Sequence, residues 1–468
     1  MSAGWALAPG VLRLRDDRLA GGAPFRVVRL SADGAAGIRT LLGTADPAPA
    51  SLVGLTSRLV RYGLLVGPAA GVDAVGPVDD VTVVIPALSA PGPVATVLAA
   101  IPHGVPVIVV DDGSPEPLQD ALLRDGPVPS RSGLTVLRHD SPQGPAAARN
   151  AGAAAAGTTW IAFVDADVDP EPGWLARLLA VARADAEVVA VGPRIRSRAS
   201  HGLGGLVEQY AGGLDLGAVA ADVAPGAPVG YLPTALLLVD RSAFERAGGF
   251  DEQMRVAEDV DLVWRLGAEG AIRYVPSVVA WHEPRATLRQ VLRRRQFYGS
   301  GAALLEVRHP GVVRHVDVSV FSFVPWLLGL AVRPWIAVLG AVASVAVAPR
   351  MFPSLPAGDA LRLAAYGQGV AFVSLGRFAI RPWWPVTVAL CIISPSRRRV
   401  LVAVAISGVV DIVRRARRDE DVSWQAMPAV VLSRVLDDLA YSVGVFQGAL
   451  RIHRLGPLLP RVRGRTKV

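Results

Sequence analysis

Three short stretches decide the fold: Val81-Thr-Val-Val-Ile-Pro86, Val107-Ile-Val-Val-Asp-Asp-Gly-Ser114 and Ala162-Phe-Val-Asp-Ala-Asp167. Each is a run of β-branched or aromatic residues that stops at proline, glycine or aspartate, as a buried strand does where it meets a loop. Leu134–Leu137 and Trp160–Val164 have the same texture, and Val94–Ala100, Leu118–Leu123 and Ala146–Ala156 between the runs are helical in pattern. Strands alternating with helices predict βαβ units, a mostly parallel sheet, and a ligand site outside the carboxyl ends of the strands.

The chemistry falls at those ends. Asp111 and Asp112 close one strand, and Gly113 allows a tight turn after them. A carboxylate there can accept the imide N–H of a uracil ring; a plain Asp-Gly turn is the other reading. Asp165 and Asp167, one residue apart behind the buried run Ile161–Val164, are uncomfortable without a cation. Hard oxygen ligands of this kind suit Mg2+ or Mn2+ carrying phosphates. Asp169 either joins them or caps the turn before Pro170.

Further along, Ala257–Leu266 has a helical face in Val260, Val263 and Leu266, with Glu258 and Asp259 at its amino end. Acidic residues there favour the helix dipole, or one of them serves as a general base for an acceptor hydroxyl. His282, in Trp281-His-Glu-Pro284 after the expected strand Ile272–Val279, is a candidate metal ligand or a structural histidine. Arg295, in Arg293-Arg-Arg-Gln-Phe-Tyr-Gly299, offers a guanidinium fork suited to a diphosphate, or belongs to an interfacial basic patch.

Composition bounds the rest. The chain has 468 residues, 51% of them hydrophobic and 19% charged, and a mean hydropathy of +0.39. That length predicts two or three domains, and that apolarity predicts contact with lipid. The net charge of +8 collects in Arg397–Arg399, Arg414-Arg415, Arg417-Arg418 and the tail residues Arg461, Arg463, Arg465 and Lys467. Beside apolar stretches these fit an anionic lipid surface at the cytoplasmic face of a membrane better than a nucleic-acid groove; a solvated charged face is the other reading. One cysteine, Cys391, excludes an internal disulfide and a thiolate metal site, and Met1–Pro9 lacks the length of a secretory h-region.

Residues 1–77 read as a small separate unit: strands Val11–Leu14 and Phe25–Leu30 around the turn-rich Asp16–Pro24, a helix capped by Ser31 and ended by Gly43, a second helix with Leu52, Leu55, Leu59 and Tyr62 on one face, and a returning strand Leu64–Val66. Gly71–Asp80 reads as a linker. After residue 317 apolar runs follow one another: Val318–Val332, Trp335–Ala348, Val370–Ile380, Val386–Ile393 and Val400–Ile412. None reaches the roughly 20 residues a spanning helix needs. Arg333, Arg377 and Arg381 interrupt them, and Trp326, Trp335, Trp383 and Trp384 suit interface anchors. Membrane helices with interfacial ones, or a buried bundle, both fit.

The ordered set VTVVIPALS, VIVVDDGSPEP, GPAAARNAGAAAAG, IAFVDADVDP, GGFDEQMRVAEDVDLVWRL and VAWHEP resembles the inverting family-2 glycosyltransferases of GT-A fold, over residues 81 to about 300. With the winged-helix-like front, which is similar to PqqD-like peptide-recognition domains, the RRRQFYGSG segment, Arg381-Pro-Trp-Trp-Pro385 and Asp437–Gly448, the chain resembles the branch of that family serving mycofactocin biosynthesis. The resemblance implies a winged-helix-like domain at 1–77, a GT-A domain at 78–312 and a helical membrane-associated region at 313–468. It implies transfer of glucose from a nucleotide sugar, UDP-glucose, to a peptide-derived redox-cofactor precursor or its precursor peptide. Asp259 would be the base with Glu258 orienting it; Pro86, Asp111, Asp112, Arg149, Asp165 and Arg295 would hold the donor; Asp167 and His282 would hold Mg2+ or Mn2+. Asn150 follows Arg149 in a pair that relatives keep near the nucleotide. The QxxRW motif of processive synthases is replaced by Gln296-Phe-Tyr-Gly-Ser, so a long polysaccharide product is not expected. A polyprenyl-phosphate acceptor and a non-catalytic peptide-binding scaffold are the alternatives.

Overall fold

A computed structural model describes residues 4–463 except 9, 16, 23–24, 45–47, 68–76, 126–132, 199–200, 285–286, 314–316, 332 and 417–421. Most of the expected linker, Arg417 and Arg418, and the tail residues Arg465 and Lys467 lie outside the described residues.

The centre is a nine-stranded mixed sheet. Strands Val81–Ala87, Val107–Asp111 and Leu134–Arg138 run parallel, and Trp160–Val164 joins the other side of Val81–Ala87 in the same sense. Leu236–Asp240 follows antiparallel to Trp160–Val164, then Val188–Ser197, Ala271–His282 and Val168–Pro170. The first strands are unbroken apolar runs because both faces are covered. Val94, Leu118, Trp174 and Leu178 pack from helices on one face; Ala148, Phe244, Leu262 and Leu266 pack from helices on the other. The alanine-rich helix Pro145–Ala155 lies so close that a Cβ on Gly152 would meet Val84 Cγ1 at 2.3 Å.

The front unit has Ser31 accepting from the Gly34 N–H at 3.1 Å, as expected of a cap. The segment Asp16–Pro24 is more than a turn. Arg18–Gly21 within it is the middle strand of a three-stranded antiparallel sheet with Leu12–Arg13 and Arg26–Arg29. Leu19 and Ala20 are buried there, one toward the unit's own core and the other toward the carboxy-terminal helices, so burial on both faces overrides the turn-rich composition. Arg26–Arg29 forms an edge of that sheet.

Beyond Ala271–His282 the chain is mostly helical, apart from the parallel strand pair Asp317–Ser319 and Arg461–Arg463. The strand is longer than its pattern suggested and carries Trp281 and His282 inside the sheet. Helix Leu288–Arg308 opens with a capping box between Thr287 and Gln290. It crosses helix Met427–Ile452 at backbone contact: a Cβ on Gly444 would sit 1.8 Å from the Gln296 carbonyl oxygen, and one on Gly299 2.0 Å from that of Tyr441. Val320–Ala331 and Pro334–Ala346 form a helical hairpin broken at Arg333-Pro334, where the proline starts the second helix. Ala357–Ile380, Trp384–Ile393 and Pro395–Ala416 complete the region.

Candidate active site

A cleft of about 1110 Å³ opens over the carboxyl ends of the central strands. Pro86, Asp112, Asp165 and Asp167 come from strand ends, Arg149 from helix Pro145–Ala155, Glu258 and Asp259 from the start of helix Glu258–Glu269, and His282 and Arg295 from the chain beyond. Of the expected site residues, Asp111 does not line it, and neither do Asn150 and Asp169.

Sheet register makes the candidate cation site. Val168–Pro170, directly after Asp167, pairs antiparallel with the end of the long strand, Val168 facing His282 and Asp169 facing Trp281. That pairing brings His282 Nε2 to 3.1 Å from Asp167 Oδ2, although 115 positions separate them in the chain. Asp169 turns away and pairs with Arg198. Among the described residues no group of three or more His, Cys, Asp or Glu side chains gathers as a ready-made cage.

The acid–base end is organised by Arg149. Its guanidinium, only 4% exposed, donates to Asp165 Oδ1 at 2.6 Å and lies 3.5 Å from Glu258 Oε1. Burial works against that charge, but Asp165 and Glu258 outweigh it and raise the arginine's pKa. Glu258 and Asp259 follow Ala257, the residue before the helix, whose φ of +64° is unusual for a residue with a Cβ. Burial first, and then the neighbouring Glu258 charge, push the Asp259 carboxyl up to about 7, against the Val260 N–H and Arg149. A carboxylate titrating there is suited to take a proton near neutrality.

The two aspartates after Val110 have separate jobs. Asp111, 1% exposed, accepts from the N–H groups of Ser114 and Leu118 and from Arg138. Burial pushes its carboxyl up, but those bonds prevail and hold it below the ordinary value. Asp111, expected to hold the donor, is bonded within the fold and does not line the cleft. Asp112 does reach the cleft. It accepts from Gln143 N at 2.9 Å and Gly144 N at 2.8 Å and bonds His139 Nδ1 at 2.8 Å, which leaves about one of its roughly four acceptor sites. Gly113 brings the two loops together: at φ +75° its Cβ would meet the Ser141 carbonyl carbon at 2.6 Å.

Asn150 is also structural. It bonds Phe250 in both directions at 2.9 Å and so ties helix Pro145–Ala155 to the loop that leads into Glu258. Arg295 lines the cleft but is held by Asp437 at 2.8 Å. Arg294 beside it donates to the Tyr298 hydroxyl at 2.8 Å, makes no ion pair among the described residues, and feels the charges of Asp167 and Glu258. It, not Arg295, carries the uncommitted charge toward the cation end; the triplet does not tell them apart, because only helix packing decides which arginine meets Asp437. Sequence reasoning also left out Tyr231, Arg255 and Arg434, which line the cleft. The one available signal was the acidic pair Asp437-Asp438 in an otherwise apolar helix.

The cleft is larger than the roughly 300–1,000 Å³ of a typical single-ligand pocket. Its far wall comes from the front unit through Ala8, Val60, Gly63, Leu65 and Val66, and from the last long helix through Asp437, Asp438 and Tyr441.

Residues 82–246 match the family described as glycosyl transferase family 2. The chain is 37% identical over 398 residues to the pre-mycofactocin glycosyltransferase of Mycobacterium tuberculosis, covering 82% of each. A 57-residue stretch is 53% identical to the N-acetylglucosaminyl-diphospho-decaprenol L-rhamnosyltransferase of the same organism, 12% of this chain and 19% of that one. Among solved structures, the mannosyltransferase PcManGT from Pyrobaculum calidifontis, in complex with GDP-Man and Mn2+, is 22% identical with a TM-score of 0.38, covering 63% of this chain and 85% of that one.

Proposed function

The chain belongs to glycosyltransferase family 2, and from that premise we propose that it moves glucose from UDP-glucose, with a divalent cation and inversion, to a hydroxyl of a peptide-derived redox-cofactor precursor of the pre-mycofactocin class. The acceptor rests on the extended identity to the mycobacterial enzyme. The carrying observation is that Asp167–His282 and Arg149–Asp165–Glu258 sit in one cleft with Asp259.

Asp167 Oδ2 and His282 Nε2 fit a cation. They lie 3.1 Å apart, and a carboxylate oxygen beside an imidazole nitrogen is a donor set that would hold Mg2+ or Mn2+. A cation held by this pair would also accept phosphate oxygens and water, as Mg2+ and Mn2+ do at diphosphates. When bound there, the cation would neutralise charge on the leaving nucleoside diphosphate. Arg294 adds a guanidinium on the same side. Asp112 offers its remaining acceptor site to the uracil N–H. Asp165, oriented by Arg149, accepts from a ribose hydroxyl on this reading. Asp259 takes the acceptor hydroxyl proton, and the oxygen displaces the diphosphate in one step, so an α-linked donor gives a β-glycoside. Glu258, pinned by Arg149, orients the base. The front-unit residues at the far wall favour a peptide-derived acceptor, and the arginine-flanked apolar helices favour work at the cytoplasmic membrane face.

The test is transfer from UDP-[14C]glucose, with Mn2+, to the peptide-derived precursor and to a polyprenyl phosphate in parallel. Label on the precursor supports the reading. Label on the lipid alone refutes the acceptor, and label only from another nucleotide sugar refutes the donor.

A further inference from the structure

Ala357–Ile380 is the one described helix long and apolar enough to cross a bilayer. Its surroundings argue that it does not. At its start the backbone N–H of Arg15 donates to Asp359 Oδ2 at 2.9 Å, Arg362 donates to the Arg13 carbonyl at 3.2 Å, and the Tyr366 hydroxyl donates to the Gly10 carbonyl at 3.1 Å. Leu14 and Ala20 pack against Leu355, Ala360 and Leu363 in the same contact. At its far end Arg381, the next residue, pairs with Asp438 and lines the catalytic cleft. One polar body therefore grips both ends. The stretch after Tyr366 spans roughly 21 Å at about 1.5 Å per residue, short of the ~30 Å of a hydrocarbon core.

The outer surface of this region is nevertheless apolar. Trp335, Leu339 and Val342 are 59%, 60% and 61% exposed, and Ile392, Ile393 and Ile406 are 71%, 77% and 56% exposed. Exposed apolar side chains in this density mark a surface that is covered in use. The charge around them has one sign. Between residues 320 and 416 there are ten arginines and two aspartates, and both aspartates, Asp359 and Asp411, are buried. Arg333, Arg350, Arg398 and Arg414 are exposed. Exposed apolar side chains flanked by exposed arginines complement the interface of an anionic bilayer better than a second copy, whose matching charge would repel it.

We propose that these helices seat the protein in a single leaflet of an anionic membrane, with helix Ala357–Ile380 lying along the protein body and no crossing by it. This deepens the membrane placement proposed above and rests on it.

The test uses the purified full-length chain with preformed phosphatidylcholine vesicles, with and without phosphatidylglycerol. The chain floats with the anionic vesicles, and Leu339→Glu with Val342→Glu lowers the bound fraction about tenfold while donor hydrolysis stays at the parent rate. For topology, Cys391→Ser removes the native thiol, and cysteines replace Ser354, before the helix, or His103, in the catalytic domain. Both react with a membrane-impermeant maleimide added outside the vesicles. Protection of the Ser354→Cys site until detergent is added would mean a crossing and overturns the proposal. A chain that ignores vesicles and is a dimer that the two glutamates split overturns it in favour of a second copy. Donor hydrolysis separates the two readings: a chain that floats without hydrolysing supports this surface and refutes the catalytic reading.

Discussion

Asp259 should set the acid limb of the pH–rate profile. Burial and the Glu258 charge push its carboxyl up to about 7, so the ionised base is about 9% of the enzyme at pH 6 and about 91% at pH 8, and kcat/KM for the acceptor should rise about tenfold between them. Asp259→Asn keeps the shape and loses the acceptor of the proton; turnover should fall about 10²–10⁴-fold and the limb should vanish, with donor affinity kept. Glu258→Gln removes a neighbouring negative charge, which favours the ionised form of Asp259, so any residual activity should show its limb at lower pH. The stability sign is opposite to the rate sign. The folded pKa lies above the unfolded 3.8, so stabilisation from this group is present below about pH 4 and lost as pH climbs to about 7. Above pH 7 Asp259→Asn should therefore melt higher than the parent. Initial rates from pH 5.5 to 9 at saturating donor, with thermal melts alongside, read all of this. A flat parent profile, or near-parent turnover of Asp259→Asn, would refute the assignment and make Glu258 the next candidate.

Chelator should abolish transfer and Mn2+ restore it; Asp167→Ala or His282→Ala should raise the Mn2+ needed at least about tenfold, and full activity in excess chelator would end the metal reading. A chain beginning at Val78 should bind and hydrolyse the donor but lose efficiency on the peptide-derived acceptor, because it lacks the wall made by Val60 and Leu65; full-length rates on that acceptor would remove the recognition role, and an insoluble product binding no donor would show that the front unit serves to cover the face around Leu355 and Leu363. Gly444→Ala places a Cβ 1.8 Å from the Gln296 carbonyl oxygen and should cost about 1–3 kcal/mol by thermal or urea unfolding, as overpacking does; an unchanged melting temperature would show that the two helices can separate without loss.

Local sequence determined much of this protein. The runs Val81–Ile85, Val107–Val110 and Trp160–Val164 stand as strands, Ser31 caps its helix, and Glu258–Asp259 open a helix, because periodicity, caps and the need to bury apolar surface act over a few residues. The strand-end carboxylates were legible for the same reason, since a strand that ends in aspartate presents it at the rim of the sheet. What each carboxylate does depended on partners distant in the chain. Asp111 and Asp112 are adjacent, yet Arg138 and Leu118 hold one while the loop at Gln143–Gly144 and His139 hold the other beside the cleft. His282 meets Asp167 only through the antiparallel register of Val168–Pro170, and Arg295 is separated from Arg294 only by a helix more than a hundred residues later that supplies Asp437. The apolar helices show the same division. Composition set their hydrophobicity, but the docking of Arg15 on Asp359 and the pairing of Arg381 with Asp438 decide that one body holds both ends of the longest apolar helix. Such contacts are fixed by long-range packing and register, whose energies arise between elements, and no window of sequence contains both partners.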